Sequence, residues 1–320
     1  MLKVTRRILS FGIAAFAALS VLPLNSAQAS DLKELKIGFQ KSGVAVIAQQ
    51  QGIIEKAFEN DGVKVSWVEF TAGPPLVEAL NVGSVHIGWT GDAPPIFGQS
   101  AGANITYLAR LPSTGLGEGI ITHSDSGIKS LSDLKGKKVA FGKGTSANNV
   151  IVAAVEKAGL QFSDIEPVYL SPADAAAAFA AKKVDAWAIW DPYLAIAELR
   201  HKPTVLAKSG EVVNVSSYFI GNKDFANQNP DAVKVVIDSL AEAGRWAEAN
   251  VDKVAAALHE VTGVPLEAQT LAASRTKYEI HPIDEETIAT QQATADRFFR
   301  VGLIPKKINV ADAVWQAPSN

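Results

Sequence analysis

Cysteine is absent from all 320 residues. That absence excludes disulfides, thiolate metal sites, a cysteine nucleophile and a lipid-modified cysteine at the start of a processed chain. The core alone must then stabilise the fold, which a chain of this length can do. Histidine is sparse: His86, His123, His201, His259 and His281 stand with no i, i+4 pair, so the usual zinc pattern lacks its ligands. No G-x-S-x-G elbow occurs and no Ser–His–Asp set can be assembled. There is no basic excess either, with 30 Lys and Arg against 33 Asp and Glu. That balance argues against nucleic acid as a partner. Beyond the first residues no stretch is long and apolar enough to span a bilayer.

What is present begins with a leader-like start. Lys3, Arg6 and Arg7 precede an apolar run from Ile8 to Leu22, and Ala27-Gln28-Ala29 supplies a small-x-small cleavage pattern. Residues 1–29 are therefore expected to be a signal peptide cleaved before Ser30, with the general secretory and twin-arginine routes both open. Removing Lys3, Arg6 and Arg7 leaves 27 basic against 33 acidic side chains, a formal charge of −6. A free periplasmic protein fits these features best.

Strand-like runs alternate with helical segments, the pattern of an α/β architecture. Leu35–Phe39, Val63–Phe70 and Val85–Trp89 read as strands, with helices over Val44–Gln51 and Pro74–Leu80 between them. The order recurs about a hundred residues on. Lys138–Phe141, Pro167–Leu170 and Val184–Ile189 read as strands, with helices over Ser146–Ala158 and from Ser171-Pro172 to Lys182. Lys36-Ile37-Gly38-Phe39-Gln40-Lys41 stands 102 positions before Lys138-Val139-Ala140-Phe141-Gly142-Lys143, and Val85 and Asp92 stand 99 before Val184 and Asp191. The register predicts two similar lobes, each an open sheet flanked by helices, with the ligand cleft at the carboxyl ends of the strands. Residues 30–114 and 221–320 are assigned to lobe 1 and 115–220 to lobe 2, with crossings near Ser113–Gly119 and Ser216–Asn222. The chain after Gly221 reads as helical and is expected to pack onto lobe 1.

The glycine-rich turn GKGTSANN, residues 142–149, is the most conspicuous candidate for chemistry. It is not a nucleotide loop, because Lys143 lies between its two glycines rather than after the second. Ala147 likewise occupies the third glycine position of the dinucleotide fingerprint. An anion at the helix start needs only free N–H groups and small residues, which Gly144, Thr145, Ser146 and Ala147 provide. An ordinary capped helix start also explains the turn. The repeat favours a ligand. Asp92 and Asp191 each precede a helix with proline in its first turn and read better as caps than as a catalytic pair. Of the two strand-end tryptophans, Trp190 is favoured for ligand contact over Trp89.

The stretches KIGFQKSG, WVEFTAGPPLVEALNVGSVHIGWTGDAPPIFGQSAG, KGKKVAFGKGTSANN, LSPADAAAAFAAKKVDAWAIWDPY and ATADRFFRVGLIPKKINVADAVWQ carry a resemblance. Together they look like the substrate-binding proteins of aliphatic sulfonate ABC importers, along essentially the whole processed chain. Nitrate, taurine and thiamine-precursor binders share the fold and some of the motifs. The resemblance implies a type II periplasmic binding fold that closes on its ligand and docks on a membrane permease. It implies no catalysis and no cofactor. Gln40 and Thr90-Gly91-Asp92 are expected to face the cleft from lobe 1, and Gly144, Thr145, Ser146 and Trp190 from lobe 2, with Asp191 beside them as a further candidate. The protein is expected to act as a monomer. A desulfinase-like enzyme on the same fold is the rival, and members of that kind use a cysteine nucleophile that this chain lacks.

Overall fold

A computed structural model describes residues 32–317; the expected leader and its cleavage site lie outside the described residues. The described strands form two five-stranded sheets. The first contains β1 (Glu34–Phe39), β2 (Lys64–Glu69), β3 (Ile87–Thr90) and β4 (Ile105–Pro112). The second contains β5 (Glu118–Thr122), β6 (Lys138–Phe141), β7 (Glu166–Tyr169), β8 (Ala186–Trp190) and β9 (Thr204–Lys208). β10 (Ser216–Asn222) returns to the first sheet. The strand orders are β2-β1-β3-β10-β4 and β7-β6-β8-β5-β9.

The two sheets repeat one topology. β1 pairs parallel with β2 and β3, and β6 pairs parallel with β7 and β8. In each sheet the fourth position is an antiparallel strand from a distant part of the chain, β10 in one and β5 in the other. The internal repeat seen in the sequence is thus a repeat of three-dimensional structure. Ser216 to Ile220, the end of the segment assigned to lobe 2 from the sequence, pair with β3 and β4 of the first sheet.

Period-two alternation places the core. Leu35, Ile37 and Phe39 enter one apolar layer, while Gly38 turns the opposite way toward Leu76. The helix Pro230–Ala249 covers that layer with Val233, Val236, Leu240, Ala243 and Ala247, spaced three and four apart along one face. On the other face of the sheet Leu76, Leu80, Ile96 and Phe298 pack together. Each such side chain contributes about 1.5–3 kcal/mol on burial. In the second sheet Val139 and Phe141 pack with Val150 and Ile151, and Ala140 with Phe179 and Trp187. The C-terminal helices do cover the first sheet, with one exception. Ala268 and Ala272 of the helix Leu266–Ala273 pack instead on Ala195 of the helix Tyr193–His201, which follows β8. No helix among the described residues is long and apolar enough to cross a membrane.

Gly244 marks a tight contact in this core. A Cβ there would lie 2.3 Å from the Tyr278 carbonyl oxygen, a backbone atom that cannot swing aside. Gly244→Ala is therefore expected to destabilise the fold by about 1–3 kcal/mol through overpacking, despite alanine's better helix propensity. A urea midpoint equal to or above that of the wild type would contradict this close approach.

Candidate functional site

The ends of β1, β3 and β8 and the start of β5 meet around a cavity of about 130 Å³. Of the residues singled out in the sequence, Gln40, Thr90, Gly91, Thr145, Ser146, Trp190 and Asp191 line it. Gln40 is buried, and its Nε2 donates to the Trp89 carbonyl at 3.1 Å, joining the two strand ends. Thr90 is fully buried, and its Oγ1 has no hydrogen-bond partner among the described residues. Gly91 faces Ser146 across the cavity: a Cβ on Gly91 would be 2.9 Å from the Ser146 Cβ.

One helix brings an N-terminus without a side-chain cap to this space. The helix Ser146–Lys157 has Thr145 at its N-cap position, yet the Thr145 hydroxyl donates back to the Gly142 carbonyl at 2.7 Å and no side chain caps the helix. The helix Gly73–Asn81 also lacks a side-chain cap and Gly73 lines the cavity, but Pro74 and Pro75 have no N–H to offer there. Only glycine fits at that residue, since a Cβ would approach Thr90 Oγ1 to 2.1 Å. First-turn N–H groups without acceptors, at the positive end of the helix dipole, favour an anion.

Asp92 and Gly144 do not line the cavity. Asp92 is a cap: Oδ1 accepts from Ala93 N at 2.8 Å at the start of the helix Ala93–Ala101, and Oδ2 accepts from Asn149 Nδ2 at 2.6 Å. Burial pushes its carboxyl up to about 6, against the lowering effect of the Asn149 hydrogen bond. Gly144 takes φ +71° and lies beside Phe97 and Pro74. Its role is conformational, because a left-handed turn here brings the Thr145–Ser146 corner round to the cavity. Asp191 lines the cavity and is also committed: Oδ1 accepts from Ala195 N at 3.0 Å and Oδ2 lies 3.6 Å from Arg275 Nη1. Burial raises its carboxyl to about 6, with Arg275 acting to lower it. Trp190 meets Tyr193 edge-on, and Trp89 also lines the cavity.

Among the wall residues that escaped the sequence are two charged ones, Glu118 and Arg275. Glu118 opens β5, a strand hidden inside the glycine-rich stretch Gly115–Gly119, where a lone acid was the only available signal. Arg275 follows the helix Leu266–Ala273 and reaches Asp191 and Glu198, a contact between distant parts of the chain that no local pattern announces. Two donors of cavity-lining residues, Trp89 Nε1 and Thr90 Oγ1, are buried without a hydrogen-bond partner among the described residues, while Arg275 Nη1 makes only the 3.6 Å ion pair with Asp191 Oδ2. Buried donors are rarely left unpaired in native proteins, so two on one cavity wall fit a ligand that accepts hydrogen bonds.

Comparison with known proteins agrees with this geometry. Residues 29–256 match the family model described as NMT1/THI5 like. A relative from Escherichia coli (strain K12), named as an aliphatic sulfonates-binding protein, is 39% identical over 97% of this chain and 97% of its own. The crystal structure of the periplasmic aliphatic sulphonate binding protein SsuA from Escherichia coli superposes with a TM-score of 0.82, covering 90% of this chain and 94% of that one at 39% identity. The alkanesulfonate-binding protein SsuA from Xanthomonas axonopodis pv. citri, bound to MOPS, superposes with a TM-score of 0.83, covering 88% and 98% at 39% identity.

Proposed function

The chain belongs to the NMT1/THI5-like family, and we propose that it is a periplasmic solute-binding protein that captures aliphatic sulfonates and hands them to an ABC permease. The buried, unpartnered donors Trp89 Nε1 and Thr90 Oγ1 on the cavity wall carry this reading. A sulfonate is a monoanion whose three oxygens only accept hydrogen bonds, so converging N–H and O–H groups suit it without a dedicated counter-ion. Trp89 and Trp190 offer apolar faces to an alkyl tail.

Each sheet with its helices forms one lobe, with the chain crossing near Ser113–Gly119 and again just before Ser216. The ligand closes the lobes because only closure brings the Thr90–Gly91 edge and the Thr145–Ser146 corner to one head group. Asn149 supports the closed arrangement from outside the cavity, accepting from Arg297 Nη1 at 3.0 Å while donating to Asp92. The protein acts as a monomer, exported by a leader cleaved before Ser30.

A taurine-like ligand would need a free carboxylate for its ammonium group. Asp92 lies outside the cavity wall and Asp191 is engaged by Ala195 and Arg275, which leaves Glu118 as the wall carboxyl whose protonation decides between uncharged and ammonium-bearing tails. Linear alkanesulfonates are expected to raise the melting temperature, since a ligand at a hundredfold excess over its Kd stabilises the native state by about 2.7 kcal/mol. Each added methylene should tighten binding about fourfold, from about 0.8 kcal/mol per CH₂, until the cavity is filled. Nitrate or sulfate raising the melting temperature where no alkanesulfonate does would overturn the reading.

A further inference from the structure

Glu118 is the one acidic side chain of the cavity wall that neither caps a helix nor pairs with a cation in the structure. Its counterparts Asp191 and, just behind the wall, Asp92 each hold a backbone N–H and a further partner. Glu118 is buried, and its Oε1 finds no hydrogen-bond partner among the described residues. β5 pairs Glu118 with Trp190, which fixes the carboxyl at the inner end of the second sheet beside Ser146, the residue that faces Gly91. It therefore stands next to the corner where the head group is placed.

The charges around it do not favour a carboxylate. Asp191 faces it from the end of β8 and Asp92 from the turn after β3, and both repel a negative charge. The cations on neighbouring elements are Lys208 of β9 and Arg275 and Lys277 of the C-terminal segment. Lys208 and Arg275 are already engaged by Glu198. Burial first, then Asp92, with Asp191 adding to them, push the Glu118 carboxyl up to about 8, although the Ser146 hydroxyl works the other way. In its neutral form the group has one O–H to give.

We propose, building on the sulfonate reading, that Glu118 enters the complex as the neutral acid and donates a hydrogen bond to an oxygen of the bound anion, so that affinity falls as the solution becomes alkaline. The ionised group would set a third carboxylate against an anion and would remove a donor at the same time. Glu118 thereby selects for anionic heads and against ammonium-bearing ligands, and makes capture sensitive to pH. The sign follows from the titration. A sulfonate does not titrate in this range, so any proton linked to binding belongs to the protein. Ligand that binds only the neutral acid loses affinity above a value of about 8 and is level well below it. Asp92 and Asp191, raised to about 6, are ionised across the whole alkaline arm.

The test is calorimetric titration of the full processed chain with butanesulfonate from pH 6.5 to 9.5, in Tris and in bicine, two buffers without a sulfonate group. Wild-type affinity is expected to fall about 30-fold over that range, the change in the neutral fraction of a group near 8. At pH 8.5 the heats in the two buffers should differ by the uptake of most of one proton per ligand bound. Glu118→Gln, which donates from an amide and cannot ionise, should bind roughly 3- to 10-fold more weakly at pH 6.5 but hold that affinity level to pH 9.5. Wild-type binding that is level with pH and takes up no proton overturns the role of Glu118 while leaving the sulfonate reading intact, whether or not the variant folds. If 3-aminopropanesulfonate binds more tightly as pH rises through 8, Glu118 is a carboxylate seat for an ammonium group and the proposal is likewise overturned. Failure of butanesulfonate to bind at any pH removes the sulfonate reading and this inference together.

Discussion

Gly91→Val is expected to lower sulfonate affinity about 100-fold while leaving the melting temperature of the ligand-free protein close to that of the wild type. Gly91 sits at the end of a first-sheet strand and Ser146 at the start of a second-sheet helix. In the structure a Cβ on residue 91 would lie 2.9 Å from Ser146 Cβ and 3.1 Å from its Oγ. One methyl group there forces a small retreat, and the two branches of valine force a larger one. Overpacking of this kind costs about 1–3 kcal/mol. The cost falls on the closed state alone, because separating the two edges relieves it without disturbing either core. Ligand binding draws on the closed state, so the whole cost appears in affinity. Gly91→Ala should show the same effect at about a tenth of the size. Affinity for butanesulfonate and thermal unfolding without ligand are the two measurements needed. Valine that binds as tightly as glycine would show that the Gly91–Ser146 approach is not required for capture. Valine that lowers the melting temperature of the free protein by many degrees would show that the contact belongs to the folded core.

That contact illustrates what the sequence could and could not disclose. Thr90-Gly91 and Thr145-Ser146 were legible because each follows a strand with an apolar run and precedes a helix with proline or small residues in its first turn. The 102-residue register then paired the two halves. The parallel strands β1, β2, β3, β6, β7 and β8 were readable on the same grounds. The antiparallel strands were not. β5 begins on Glu118 between glycines, and β10 reads SSYFIGN, a segment whose strand character comes from β3 and β4 on either side. Their pairing partners lie far along the chain, so no local pattern carries the information. Glu118 and Arg275 were missed for the same reason. Glu118 belongs to an unrecognised strand, and Arg275 meets its partners only through tertiary packing. Asp92 caps a helix, as its place before Ala93-Pro94-Pro95 suggests, but it does not line the cavity it was also expected to face, and its second hydrogen bond, to Asn149 of the other half, depends on how the halves meet.

Arg275→Ala is expected to weaken sulfonate binding roughly 30- to 150-fold and to lower the melting temperature, with a larger defect at pH 7.5 than at pH 5. Arg275 Nη2 donates to Glu198, whose other oxygen receives Lys208 Nζ at 2.7 Å, and Nη1 lies 3.6 Å from Asp191 Oδ2. The backbone carbonyl of Arg275 is held by the Thr114 hydroxyl, so the guanidinium is anchored where the chain first crosses between sheets. Removing one partner of a largely buried pair leaves its acids uncompensated, which costs about 3–5 kcal/mol when burial is complete. Arg275 and Glu198 keep 14% and 18% of their side-chain surface exposed, which reduces the expected cost to about 2–3 kcal/mol. The pH dependence follows from Asp191. Its carboxyl is raised to about 6 by burial even with Arg275 beside it. An acid raised in the folded state contributes stability below its unfolded value that is lost as pH rises through the folded one. Without the guanidinium the folded value moves further up and the loss deepens, so the variant suffers most where wild-type Asp191 is ionised. At pH 5 Asp191 is largely neutral in both proteins, and only the Glu198 contact separates them. Arg275→Lys should fall between wild type and alanine, since an ammonium cannot reach both acids as a planar fork does. Equal defects at the two pH values would assign the whole effect to Glu198 and remove Asp191 from it. Unchanged affinity in Arg275→Ala would place the residue outside the binding cycle altogether.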